Sequence, residues 1–330
     1  MQPDRHDFTM RAIFGPGNRA LLLEFAGGRG PSGPWSLVLG PWSWPAARDS
    51  FLPFFPGGWV YDVAMNTPRA LSAAFLGLAL FSLAHPSIAQ QAPASGTKDV
   101  LPTPPEGKSW KLVWQDEFDG PKLDESKWNR LGDWKRRDGF WIKEDSYLSG
   151  KGTLLLRTRK DGDRYTCGAV NTQGKFEHAF GYYVARCKMP REQGHWPAFW
   201  MMSPGVGKVG NEGRDGTEID IVEVPWRDGK VTFNLHWDGY EKDHKSAGSN
   251  VTMPALMEGF HDYSLWWTPT EYVFYIDGKE VWRSKSGGVS QIPEYLKLTE
   301  EIGDWAGKIG EAKLPDYFEV DYVRVYDLAP

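Results

Sequence analysis

Over residues 110–327 apolar and polar positions alternate in short runs bounded by Gly, Asp and Pro: KLVWQDEF, GTLLLRTR, CGAVNT, GYYVARCKM, PAFWMM, TEIDIVEV, VTFNLHW, HDYSLWW, EYVFYID, KEVWRS and FEVDYVRVY. Side chains on a strand point to opposite faces in turn, so such alternation predicts strands with one face buried and one wet. Many short strands separated by turn signals predict a sandwich or barrel. The strongest hairpin signal is 272–276, then Asp277-Gly278, then 279–282, because Asp-Gly suits a type I′ turn. No fixed-period repeat appears. Residues 109–330 are therefore expected to form one all-β sandwich domain of about 220 residues, a size that single sandwiches reach.

One stretch departs from this pattern. From Met65 the chain reads MNTPRALSAAFLGLALFSLAHPSIAQQAPA, with one cation (Arg69), an apolar run over 70–84 and a small-residue exit at Ser87-Ile88-Ala89. That is the layout of a secretory signal peptide cleaved after Ala89. Its apolar run is shorter than the roughly 20 residues that span a bilayer. A signal must lie near the translated start, yet 64 residues rich in Gly, Pro and Trp precede Met65. Residues 1–64 are thus expected to be a non-native upstream extension or disordered, with Met65 the true start. Residues 65–89 are the expected signal peptide, and 90–108, QQAPASGTKDVLPTPPEGK, rich in Pro, Ala and small polar residues, the linker. The mature protein is expected to be secreted or periplasmic, with no stable membrane insertion after cleavage.

The run over 218–223 raises a question of direction. On a strand Glu218 and Asp220 share one face, Ile219 and Ile221 the other. Strict alternation would send Glu223 among the aliphatics, where a bare carboxylate costs several kcal/mol. One extra residue at Ile221-Val222, a β-bulge, restores Glu223 to the acidic face, and bulges recur beside active sites. Ideal strand geometry would still separate the two Glu Cα atoms by about 16 Å. For two carboxyl groups to act on one reacting carbon they must stand roughly 5–5.5 Å apart, so a bulge and inward-leaning side chains would have to close the gap. Crowded carboxylates keep a proton near neutral pH and so place an acid beside a base. Alone, the acidic run could equally be a solvated face or a calcium site.

Composition narrows the partner. Aromatics make up 14% of the chain and Trp alone numbers 17, more flat apolar surface than a core needs and well suited to stacking on sugars. A net charge of -5 with scattered Lys and Arg gives no basic footprint for nucleic acid. Cys167 and Cys187 are the only cysteines, which excludes a disulfide scaffold. They lie on runs that could pair across the Gln173-Gly174 region, so one disulfide is expected in an oxidising compartment, with two buried thiols the alternative.

GTEIDIVE and the upstream GHWPAFWMM are similar to the active-site signature of glycoside hydrolase family 16, the laminarinase, lichenase, agarase and carrageenase group. LVWQDEFDG, LDESKW, FGYYVARCKMP, FHDYSLWWTPTEYVFYIDGKEV and VDYVRVYD follow the family order, so the resemblance spans about residues 110–327. It implies a concanavalin-like β-jelly-roll with a concave substrate cleft, and a retaining endo-hydrolase of a β-linked polysaccharide. By position Glu218 resembles the family nucleophile, Asp220 the residue that hydrogen-bonds it and tunes its proton, and Glu223 the general acid/base. The extra residue matches the bulged, laminarinase-like branch.

Trp196 and Trp200, four apart, can share a face and are candidates for sugar stacking. Trp226, Asn234 and His236 are candidates for binding near the scissile bond; Asn234 and His236 share a face, Phe233, Leu235 and Trp237 the other. Catalysis needs no cofactor. Some family members carry a structural calcium on the convex side, for which Glu117 and Asp321 are the candidate ligands. The chain is expected to act as a monomer on a polysaccharide.

The resemblance weakens at 299–305, TEEIGDW, where laminarinases usually read Asn-Leu-Ala-Val-Gly-Gly before a Trp, and in VTFNLHWDGYEKDHKS. Reaction class is therefore better determined than substrate. A β-1,3 or β-1,3/1,4-glucan is the leading expectation, with a β-galactan of agar, porphyran or carrageenan type, or transglycosylation, as the enzymatic alternatives. A non-catalytic carbohydrate-binding sandwich is a further alternative, though retention of all three acids argues against it.

Overall fold

The computed structural model describes residues 101–330, together with the backbone of three strands, Thr9–Phe14, Leu21–Ala26 and Ser36–Val38. The chain divides into two units, Met1–Ala94 and Ser95–Pro330. In the first, the three strands pair antiparallel in chain order, within the stretch expected to be an upstream extension. The expected signal peptide at 65–89 and most of the expected linker lie outside the described residues. No helix among the described residues is long and apolar enough to cross a membrane.

The second unit is a sandwich of two large sheets, as the alternation predicts. The cleft sheet runs in the order Lys245–Thr252, Lys230–Trp237, Glu218–Glu223, His195–Met202, Glu294–Ile302, Ala169–Asn171, Asn129–Arg130, with Glu177–His178 also pairing to Glu294–Ile302. The back sheet centres on Gly181–Lys188 and the long C-terminal strand Asp316–Ala329. Between the sheets Phe199, Met201, Ile219, Phe233 and Leu298 pack against Tyr183, Leu156, Leu265, Phe274 and Val323 in one cluster. The buried apolar face of each strand thereby turns its polar face outward, and on the cleft sheet that outer face carries the chemistry.

The hairpin at Asp277-Gly278 forms as its sequence dictates: Ile276 pairs with Lys279, and both turn residues take positive φ, +48° and +73°. That is the mirror-image turn whose twist suits a hairpin.

One expectation meets a different arrangement. Cys167 and Cys187 are buried, unbonded thiols. Cys167 pairs with Thr158 and Trp141, whereas Cys187 pairs with His261 and Val320. Their strands are not hairpin partners but stand three steps apart in the back sheet. That is roughly 14 Å at normal strand spacing, beyond the reach of a disulfide. Glu117 and Asp321, the candidate calcium ligands, each have an arginine partner. Arg324 donates to both Glu117 oxygens, at 2.8 and 2.7 Å, and Arg186 Nε stands 3.2 Å from Asp321 Oδ2.

Candidate active site

The bulge expected in the acidic strand is present. Opposite it, Met202 faces Glu218, Met201 faces Ile219 and Trp200 faces Asp220, but Phe199 then faces Val222 and Ala198 faces Glu223. Ile221 is the extra residue. On the other side Asp220 faces Asn234 and Glu223 faces Thr232, with the same irregularity between. Ile219, Ile221 and Val222 are fully buried in the core while Glu218, Asp220 and Glu223 all line one cleft of about 520 Å³. A single inserted residue thus reconciles an odd spacing with a shared face.

Alternation supplies the rest of the floor. Trp196, Ala198, Trp200 and Met202 come from one neighbouring strand, and Lys297, Thr299 and Glu301 from the next. Arg136, Arg137 and Trp141 reach in from the hairpin formed by Trp134–Arg136 and Gly139–Trp141. Tyr240 enters from the connection that follows Lys230–Trp237.

The acids differ in environment. Asp220 is 4% exposed; burial, and then the neighbouring charge of Glu218, push its carboxyl well above the usual range. Glu223 is raised too, first by burial and then by the charge of Asp220. Asn234 opposes that rise, donating from Nδ2 to Glu223 Oε2 at 2.7 Å. Glu218 accepts a short hydrogen bond from the Tyr240 hydroxyl, 2.5 Å at Oε2. His236 Nε2 stands 3.4 Å from Asp220 Oδ2, and its Nδ1 is 2.9 Å from His244 Nε2. The cleft therefore offers two buried carboxyls inclined to keep their protons, Asp220 and Glu223, beside Glu218, which accepts from a hydroxyl. That is the asymmetry acid/base chemistry requires.

Basic groups balance the floor. Arg136 donates from Nε and Nη2 to Glu301 Oε1 at 2.9 and 2.7 Å, while Arg137 Nε holds Oε2. Lys297 lies 3.6 Å from the centroid of the Trp200 ring, and burial, then repulsion from Arg136, lower its ammonium to about 8. For a metal ion, Glu218, Asp220 and His236 are a set among the described residues whose ligand atoms all lie within 4.8 Å of one another. Tyr240 and His244 already bond to members of that set.

Trp196 and Trp200 both line the cleft, as their spacing predicts, but Trp200 has one face covered by Lys297 and its indole N–H given to Thr299 Oγ1 at 3.0 Å. Trp196 carries the Arg137 guanidinium 5.2 Å from its ring and meets the edge of Trp305. Trp226 is not among the lining residues. It packs edge-on against Trp305 at 5.4 Å, extending the aromatic row that begins at Trp196. Asn234 and His236 sit against Glu223 and Asp220, as the shared face predicts. Sequence reading missed Tyr240, Lys297, Glu301, Arg136 and Arg137. Only the two-residue spacing of Lys297, Thr299 and Glu301 signals a common face.

Known proteins resemble the chain over this same region. The model of glycosyl hydrolases family 16 matches residues 136–324. Glucan endo-1,3-beta-glucosidase A1 of Niallia circulans is 28% identical, over 68% of this chain and 39% of that protein. Keratan-sulfate endo-1,4-beta-galactosidase of Sphingobacterium multivorum is 30% identical, over 71% of this chain and 59% of its own length. The chain thus spans less than two thirds of either relative. The catalytic domain of an endo-1,3-beta-glucanase (laminarinase) from Thermotoga petrophila RKU-1 superposes with a TM-score of 0.57 at 28% identity, covering 67% of this chain and 98% of that one.

Proposed function

Because this chain belongs to glycosyl hydrolases family 16, we propose that it cuts internal bonds of a β-1,3 or β-1,3/1,4-glucan with retention of configuration. The observation that carries this reading is the extra residue Ile221, which turns Glu223 back onto the cleft face beside Glu218 and Asp220. Glu218 attacks the anomeric carbon while Glu223, held protonated chiefly by burial, gives its proton to the leaving oxygen. Water then attacks the glycosyl-enzyme, losing a proton to Glu223, and the bonding pair returns to Glu218. Asp220 keeps a proton next to Glu218 and so limits the negative charge that the cleft must hold.

The glucan assignment rests on similarity to the Niallia glucanase and the Thermotoga laminarinase, and on the aromatic row Trp196–Trp305 at the cleft wall. A β-galactan is the second reading. Arg136 and Arg137 favour it, since guanidinium forks match anionic substituents, and so does similarity to the keratan-sulfate galactosidase. Export through residues 65–89, action as a monomer, and some transfer of the glycosyl group to sugar hydroxyls belong to the same proposal. Incubation with laminarin, lichenan, agarose, porphyran and carrageenan, with product anomers followed by NMR, tests it. Laminarin or lichenan should be cut to oligosaccharides that appear first as β-anomers; first-formed α-anomers would refute the two-step route.

A further inference from the structure

Tyr240 lies on the connection between Lys230–Trp237 and Lys245–Thr252. Its position is fixed at the base of that connection. Asp238 and Gly239 take positive φ, +57° and +79°. Asp238 is buried and accepts from Lys245 Nζ at 2.7 Å, and Gly239 N donates to Val206 O at 2.7 Å. The ring itself remains 52% exposed, tilted against His244, yet its hydroxyl reaches Glu218 Oε2 at 2.5 Å. An exposed tyrosine held by an anchored turn on one oxygen of the attacking carboxylate is more than surface packing.

We propose that Tyr240 is a positioning residue that speeds breakdown of the glycosyl-enzyme by holding the charge that returns to Glu218. The idea rests on the assignment of Glu218 as nucleophile. Hydrogen bonds to a charged acceptor are roughly twice as strong as neutral ones. The O–H···Oε2 bond is therefore strong when Glu218 is a free carboxylate and weak when the other oxygen is esterified to the anomeric carbon, leaving Oε2 a carbonyl oxygen. In the first step the bond is weakened as the ester forms, which restrains attack. In the second it strengthens as the carbon–oxygen bond to Glu218 breaks, the electron pair returns to the carboxylate, and water takes its place. Tyr240 keeps its proton throughout, because partial burial of its hydroxyl end and the adjacent Glu218 charge raise its phenol.

The test is Tyr240→Phe assayed on dinitrophenyl β-laminaribioside, whose good leaving group makes the first step easy. Loss of one hydrogen bond to a charged group should lower kcat roughly 10- to 100-fold. KM should fall in parallel, with kcat/KM kept within about threefold, the signature of an accumulating intermediate. Mass spectrometry of quenched enzyme should then show a disaccharide adduct on the Glu218 peptide that the wild type does not accumulate. Tyr240→Leu should behave alike, with both variants unfolding at the wild-type temperature. Equal falls in kcat and kcat/KM without an adduct, or a wild-type Tyr240→Phe beside an impaired Tyr240→Leu, would overturn the role. Glu218→Ala serves as the control. If it is inert while Tyr240→Phe is unchanged, only this inference fails; if it still turns over, the nucleophile assignment fails with it.

Discussion

Asn234 Nδ2 donates to Glu223 Oε2 at 2.7 Å across two neighbouring strands, a contact that exists because Ile221 is the extra residue between Asp220 and Glu223. Without a bulge the Glu223 side chain would enter the core, and Asn234, still opposite Asp220, would lose this acceptor. The amide favours the ionised carboxyl and so sets a limit on how firmly Glu223 keeps its proton.

Removing that donor should therefore move the acid upward. In Asn234→Ala the alkaline limb of the kcat/KM profile is expected to shift to higher pH, with the maximum reduced roughly tenfold by lost positioning. Rates from pH 4 to 10 check the direction; a shift to lower pH would contradict it.

Asp220 should cost the fold stability at neutral pH. Its folded carboxyl is raised, chiefly by burial. Above the ordinary carboxylate range the unfolded chain ionises freely while the folded one resists, so stability falls as pH climbs from that range through the raised value. Asp220→Asn is expected to stabilise by roughly 0.5–2 kcal/mol at pH 7, with little gain at pH 3, while activity drops sharply. Denaturant unfolding at the two pH values checks this.

Lys297 carries the opposite sign. Its ammonium is lowered from 10.5 to about 8, mainly by burial. Between these values the unfolded state binds more protons, so stability gains with rising pH. The wild type should gain up to about 3 kcal/mol relative to Lys297→Met from pH 8 to 10.5. Paired urea titrations across that window measure it.

Glu301 anchors the Arg136–Arg137 hairpin to the floor while itself being almost wholly buried. Glu301→Gln should cost about 1–3 kcal/mol through weakened charged hydrogen bonds, and should raise KM more than it lowers kcat because the cleft wall loosens. Thermal unfolding and oligosaccharide kinetics separate the two effects.

These residues also mark how far the sequence could be read. Period-two alternation was enough to place Asn234 and His236 together and to demand a bulge before Glu223, because one strand's side-chain directions are local. The hairpin at Asp277-Gly278 was legible for the same reason. Glu294–Ile302 was not: nine buried residues, Lys297 and two adjacent acids among them, form a central strand that is absent from the alternating runs. Its burial follows from partners distant in the chain, such as Arg136, 165 residues before Glu301. The cysteine pairing failed likewise, since strand order in a jelly roll sets neighbours that chain order does not. Tyr240 carries no periodic signal, and only the turn at Asp238-Gly239 brings it to Glu218.

The division of labour between Glu218 and Glu223 is tested most directly by azide rescue on dinitrophenyl β-laminaribioside. With Glu223→Ala, azide should replace water at the glycosyl-enzyme and yield the β-glycosyl azide. With Glu218→Ala, azide should occupy the place of the missing carboxylate and yield the α-glycosyl azide. NMR of the two products reads the outcome; the same anomer from both variants, or the reverse assignment, would contradict the roles given to these residues.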